Sequence, residues 1–166
     1  MSSKSESTTS LVPMSSAAFP QWAEHSAKNY AKDKVASKQW AAEGALERAR
    51  AQIQQLLPEG IETPGHSICH LVADEETVGY LWWLERELPT GSGGYIFDIE
   101  IEVAHRRQGH ARRALASLAD DLRQRGLHRL GLHVFAQNTG AIRLYESLGY
   151  ETTSLRVCST RKQNFE

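Results

Sequence analysis

Residues 94–126 read GYIFDIEIEVAHRRQGHARRALASLADDLRQRG. Tyr95, Phe97, Ile99, Ile101 and Val103 alternate with Ile96, Asp98, Glu100 and Glu102, the two-residue period of a strand with one buried face. The strand runs straight into Arg106-Arg107-Gln108-Gly109-His110-Ala111, where Gly109 permits a tight backbone and Ala111 keeps the first helical turn slim. Ala111, Ala114, Leu115, Leu118 and Leu122 then recur at helical spacing, with Arg112, Arg113, Asp120, Asp121 and Arg123 largely opposite, and Gly126 stops the helix. A corner of exposed N–H groups that opens a helix is a seat for a phosphate-like anion, and Arg106, Arg107 and Arg112 add positive charge beside it. An ordinary strand-to-helix connection with solvated arginines accounts for the same residues. Neither GxxxxGK[ST] nor GxGxxG occurs in the chain, so the two familiar phosphate loops are excluded.

Outside that stretch, 166 residues suit one domain with a real core. The domain is expected over residues 11–160, between a polar tail at 1–10 and a frayed terminus at 161–166. Nineteen basic residues against twenty acidic ones give a net charge of -1, so no overall field draws the chain to nucleic acid or to an acidic membrane. The basic cluster at 106–125 suits a small anionic ligand better than a polymer. Cys69 and Cys158 are the two cysteines, allowing at most one disulfide. No secretory h-region and no run near the roughly 20 apolar residues of a membrane span is visible, so a soluble cytoplasmic protein is expected.

Towards the N-terminus, Leu11 to Met14 reads as an edge strand because Pro13 cannot donate to a ladder. Ser15 or Ser16 can cap a helix reaching about Lys34, with Phe19, Trp22, Ser26 and Tyr30 along one stripe. A second helix is predicted from about Lys38 to Leu57, ended by Pro58. Ser67–Ala73 and Thr77–Leu84 read as a hairpin, and Glu85–Gly94 as a loop. Trp82 and Trp83 are adjacent on a strand and point oppositely, so at least one is expected to reach a partner subunit, and a homodimer is expected. After the long helix come a strand at Leu130–Ala136, a short helix carrying Ala141, Leu144, Tyr145 and Leu148, and strand-like Tyr150–Thr160. His66, Cys69 and His70 invite a metal reading, but neighbours on a strand point to opposite faces and nothing completes a ligand set, so no metal is expected. His25, His105, His110, His128 and His133 are scattered and read as surface or structural histidines.

Arg106-Arg107-Gln108-Gly109-His110-Ala111 resembles the R/Q-x-x-G-x-G/A pyrophosphate corner of the GNAT superfamily, the acyl-CoA-dependent N-acetyltransferases, with Ala111 for the more usual final glycine. Asn138, Ala141, Tyr145, Leu148, Gly149 and Tyr150 resemble the second signature, N-x-x-A-x-x-x-Y-x-x-L-G-F/Y. Residues 58–66 also resemble a P-x-G-x-x-T-P-G-H stretch found in bacterial members of undefined acceptor. The resemblance implies an α/β fold of mixed α+β character: a central, mostly antiparallel sheet with one parallel pair, flanked by helices.

It further implies acetyl-CoA as cosubstrate and an amine of a small molecule or peptide as acceptor. Main-chain groups of Gln108, Gly109, His110, Ala111 and Arg112 would hold the pyrophosphate, with Arg106 and Arg107 as helpers. Main-chain groups near Ile101 and Val103 would pair with the pantetheine arm, and Asn138 would bond that arm or simply cap its helix. Tyr145 matches the residue that protonates or hydrogen-bonds the leaving thiolate. A protonated amine needs a base or water chain, which directs attention to Glu100 first and Asp98 next. The alternative class is a non-catalytic acyl-CoA sensor that keeps the corner without turnover.

Overall fold

A computed structural model of the chain describes residues 8–88 and 91–157. Five strands form one sheet in chain order: β1 (Ser10–Pro13), β2 (His66–Ala73), β3 (Glu76–Leu88), β4 (Gly91–Ile101) and β5 (Leu130–Leu132). Neighbours are antiparallel except β4 and β5, which run parallel because a helix carries the chain back between them. The helices α1 (Phe19–Ala36) and α2 (Ala45–Leu56) cover one face, and α3 (His110–Gln124) and α4 (Thr139–Ser147) the other. This is the expected mixed sheet, with Pro13 on its edge strand. Among the described residues no helix is long and apolar enough to cross a membrane.

Each face buries its own core. Ala114, Leu115, Leu118 and Leu122 of α3 close on Leu71, Leu81, Trp83 and Ile96, and each fully buried leucine contributes about 1.5–3 kcal/mol. On the other face Trp22, Ala49 and Ile53 pack over Ile68, Tyr80 and Trp82. Trp82 and Trp83 are therefore both buried, one in each core, and neither supplies the exposed aromatic on which the expected homodimer rested.

The alternation expected along β4 breaks at one residue. Trp82 pairs with Asp98 but Trp83 pairs with Ile96, which leaves Phe97 as the extra residue of a β-bulge. A bulge puts two successive side chains on one side of the sheet. Ile96, Ile99 and Ile101 thus face α3, whereas Phe97, stacked on Trp82 at 4.6 Å, and Asp98, bonded to Tyr80, face α1. The single buried face is replaced by two, and the bulge aims Asp98 and Glu100 at the α1 side.

Gly79, opposite Ile101, fixes how closely β3 approaches there. A Cβ at this position would lie 2.0 Å from the Glu100 carbonyl oxygen, a backbone atom that cannot step aside alone. Gly79→Val is expected to cost about 2–3 kcal/mol by overpacking, lowering the melting midpoint by roughly 5–10 °C. An unchanged midpoint in a thermal melt would refute the close approach.

Four boundaries differ from the sequence reading. The second helix begins at Ala45 rather than near Lys38, because Gly44 (φ +70°) and Lys38 (φ +60°) both leave helical geometry. The supposed loop at 85–94 is largely ladder: Glu85 pairs with Gly94, Arg86 with Gly93 and Glu87 with Ser92, and of its glycines only Gly91 (φ +116°) leaves the extended region. Pro89 and Thr90 of that loop lie outside the described residues. β5 stops at Leu132 instead of Ala136. Residues 151–157 join no strand, and Leu155 and Val157 are 83% and 87% exposed; residues 158–160 of that expected strand, and the termini at 1–7 and 161–166, fall outside the description.

Candidate active site

The anion corner is built by two left-handed residues, Arg107 (φ +60°) and Gly109 (φ +80°), which turn the chain into α3. Arg113 is the first residue to bond into the helix, its N–H reaching the Gly109 carbonyl at 3.1 Å. The preceding N–H groups, from Gln108 through Arg112, have no hydrogen-bond partner among the described residues, and the helix dipole adds partial positive charge where they converge. The side chains around them are mostly committed. Arg113 donates to the Gln108 carbonyl (2.9 Å), Arg112 to Ser147 of α4 (2.7 Å), and Arg106 to the Ile101 carbonyl (2.9 Å). Arg107 is exposed.

His110 faces inward. Its ring is buried, with Nδ1 3.1 Å from both Thr9 Oγ1 and Arg113 Nη2. A guanidinium only donates, so Nδ1 accepts and the ring proton sits on Nε2. Burial, then the Arg113 charge, holds His110 below the ordinary histidine value. Only its main chain is left for the corner.

Beyond the corner, β4 and β5 part. Their pairing covers Gly94–Leu130, Tyr95–Gly131 and Ile96–Leu132, and then β4 continues alone to Ile101. Glu102 N–H donates to the Val78 carbonyl at 2.8 Å, so residues 98 and 100 turn their main-chain groups towards β3, while 99 and 101 turn theirs into the opening. Arg106 takes the Ile101 carbonyl, which leaves the Ile99 N–H and C=O as the open pair. Val103 lies past the strand, at the start of a one-turn 3-10 helix, and is exposed.

Tyr145 stands on α4, whose first turn Asn138 caps by accepting the Ala141 N–H at 3.3 Å. Its ring is 9% exposed, in the α3/α4 core against Tyr150 at 5.5 Å. Burial, Tyr150 and the Asp98 charge push the phenol up to about 12, so it holds its proton at neutral pH. The only enclosed side-chain polar atom without a partner, among the described residues, is Trp22 Nε1. The Tyr145 hydroxyl also has no hydrogen-bond partner among the described residues, so its proton is uncommitted.

Asp98 and Glu100 sit in a hydrogen-bonded cluster that the sequence did not disclose. Tyr80 Oη lies 2.7 Å from Asp98 Oδ2 and 3.1 Å from Glu100 Oε2. Ser26 donates to Asp98 Oδ2 (3.3 Å), Asn29 to Glu100 Oε2 (2.6 Å), and His25 Nε2 meets Glu100 Oε1 at 3.1 Å. Ser26, Asn29 and His25 come from α1, on the stripe that also carries Trp22; the one trace in the sequence was a polar Ser26 inside an aromatic stripe. Removal from water pushes Asp98 up to about 6, the Glu100 charge adds to that, and the Tyr80 and Ser26 hydrogen bonds oppose it.

A carboxyl that holds its proton more tightly when folded binds more protons in the native state between about pH 4 and 6, so native stability falls as pH rises through that window. Asp98→Asn removes this penalty. It is expected to melt higher than wild type at pH 7, by on the order of 2 kcal/mol, with the difference vanishing near pH 4. A variant less stable than wild type at pH 7 would contradict it.

Among the described residues no group of three or more His, Cys, Asp or Glu could hold a metal ion. Cys69 is buried, and burial pushes its thiol up, which makes it a poor nucleophile.

The acetyltransferase (GNAT) family model matches residues 23–150. The chain is 36% identical over 150 residues to YycN of Bacillus subtilis, an uncharacterised N-acetyltransferase, covering 89% of this chain and 96% of that one. The crystal structure of YycN superposes with a TM-score of 0.88 at 34% identity, over 94% of this chain and all of the other. A 61-residue segment is 43% identical to the ribosomal protein bS18 alanine N-acetyltransferase of Escherichia coli, covering 37% of this chain and 41% of that enzyme. A Clostridium acetobutylicum protein crystallised with acetyl-CoA shares the fold at 12% identity, with a TM-score of 0.61 over 92% of this chain and 96% of that one. With the corner, the parted strands and the tyrosine helix all inside the matched span, the chain belongs to the GNAT family of acetyltransferases.

Proposed function

We propose that the chain transfers the acetyl group of acetyl-CoA to a primary amine of a small molecule or peptide, by direct attack of the amine on the thioester. One observation carries this reading: β4 parts from β5 beyond Ile96, with the unbonded N–H groups of 108–112 at the head of α3 and Tyr145 in the same core as Ile99 and Leu132. The pyrophosphate takes the corner, where many main-chain donors and the helix dipole share its charge. The Ile99 carbonyl accepts from a pantetheine amide as an added strand would, which leaves its N–H to stabilise the developing oxyanion.

The amine enters from the α1 side, where Asp98 and Glu100 take its proton. Alkyl ammonium groups titrate near 10.4 and need such an acceptor at neutral pH. A phenol at about 12 does not hand its proton outright to a thiolate whose thiol titrates near about 8.5. Tyr145 therefore acts as a neutral hydrogen-bond donor to the departing sulfur, and water completes the thiol. The parallel with the bS18-alanine enzyme favours a peptide N-terminus among the acceptors.

Thiol release from acetyl-CoA, measured across small amines, polyamines and peptides with free N-termini, tests the proposal. Release above the hydrolysis rate with at least one amine is expected. Tight coenzyme A binding with no amine-dependent release would favour a non-catalytic binder instead.

A further inference from the structure

The Tyr80 hydroxyl stands within hydrogen-bond distance of two carboxylates at once, 2.7 Å from Asp98 and 3.1 Å from Glu100. It has one proton to give. With both acids ionised, one of the two contacts is a hydrogen bond and the other sets oxygen lone pairs against each other. Both become hydrogen bonds only when one carboxyl carries a proton, donating to Tyr80 while Tyr80 donates to the other. Two like charges on one hydroxyl favour the same count. From Glu100 the chain continues outwards: Oε1 meets Nε2 of His25, whose side chain is 50% exposed. Asn29 lies between them, donating to Glu100 and 3.1 Å from His25 Nε2.

We propose that Asp98 and Glu100 share a single proton through Tyr80, and that His25 carries protons between this pair and solvent. Tyr80 and His25 are then positioning residues for the acid–base work. The charged and titratable groups around the pair are His25 and Asp33 from α1, Tyr80 from β3 and Tyr145 from α4. Burial and the two carboxylates push the Tyr80 phenol far up, so it relays without ionising. The proton balance closes. The incoming ammonium gives one proton to the ionised pair, Asp98 and Glu100 hold it jointly through Tyr80, and it leaves by way of the His25 ring to water, restoring the starting count.

The sharing itself is independent of any acetyl transfer, whereas the relay rests on the proposed reaction, so the two are tested separately. Carboxyl 13C shifts of the protein without ligand, assigned with Asp98→Asn and Glu100→Gln, are followed against pH. Two carboxyls take up two protons, so the Asp98 and Glu100 signals should move together in an upper step above about pH 5 and again in a lower one, and Tyr80→Phe should leave each signal following a step of its own. Separate single steps for the two signals below about pH 5 in the wild type, or joint steps that survive Tyr80→Phe, would overturn the shared proton. For the relay, His25→Gln should lower turnover several-fold in a weak buffer, and added imidazole should restore it. No loss, or a loss that imidazole does not repair, would overturn the relay. A protein inactive with every amine would instead defeat the proposed reaction and leave the carboxyl titration standing.

Discussion

Tyr145→Phe is expected to reduce kcat and kcat/KM together by about 10²–10³-fold. The ring stays packed against Tyr150 in the α3/α4 core, and only the hydroxyl is lost. Because that hydroxyl has no partner among the described residues, nothing structural depends on it, and the melting midpoint should not move. The loss falls on the step in which charge builds on sulfur, so coenzyme A affinity should hold to within about twofold. Steady-state kinetics with calorimetric binding checks this. Full turnover in the variant would remove Tyr145 from the chemistry.

The corner offers the second large effect. Gly109 has φ +80°, where a β-branched residue is strained by about 1–3 kcal/mol. A Cβ there would also lie 2.8 Å from the Arg113 guanidinium, which braces the corner by bonding the Gln108 carbonyl and approaching His110. Gly109→Val should therefore displace the N–H groups of 108–112 as a set and weaken coenzyme A at least about tenfold, since each 1.4 kcal/mol is a factor of ten. Arg107→Ala, which removes an exposed charge and leaves those N–H groups in place, should cost far less. Unchanged affinity in Gly109→Val, measured by titration calorimetry, would mean the anion sits elsewhere.

What was legible in the sequence was local and periodic. The α3 stripe of Ala114, Leu115, Leu118 and Leu122 needs only a 3.6-residue period, and the corner and the Tyr145 helix are each contiguous motifs. The acid cluster was half legible. Asp98 and Glu100 stood out as carboxylates on a strand, but their direction depends on the Phe97 bulge, and every residue from 95 to 101 other than the two acids is a good strand former, so no letter marks the extra one. Tyr80 and the α1 residues His25, Ser26 and Asn29 meet those acids across 18 to 75 positions of sequence, a distance no local period spans. Glycine misled in one place: Gly93 and Gly94 look like loop, yet Gly94 lies in the ladder, where a Cβ would press on Leu122 and Leu130 at 2.9 and 3.0 Å. The alternation after Tyr150 misled in the opposite sense, because apolar spacing makes a strand only where a neighbouring strand accepts it.

We infer that the opening between β4 and β5, headed by the α3 corner, receives coenzyme A. An amide-resolved NMR titration with coenzyme A measures this directly. Residues 108–112 and the β4 segment 97–101 should show the largest shifts, saturating together with one affinity. Saturable binding that leaves those amides unmoved, or no binding at all, would contradict the claim.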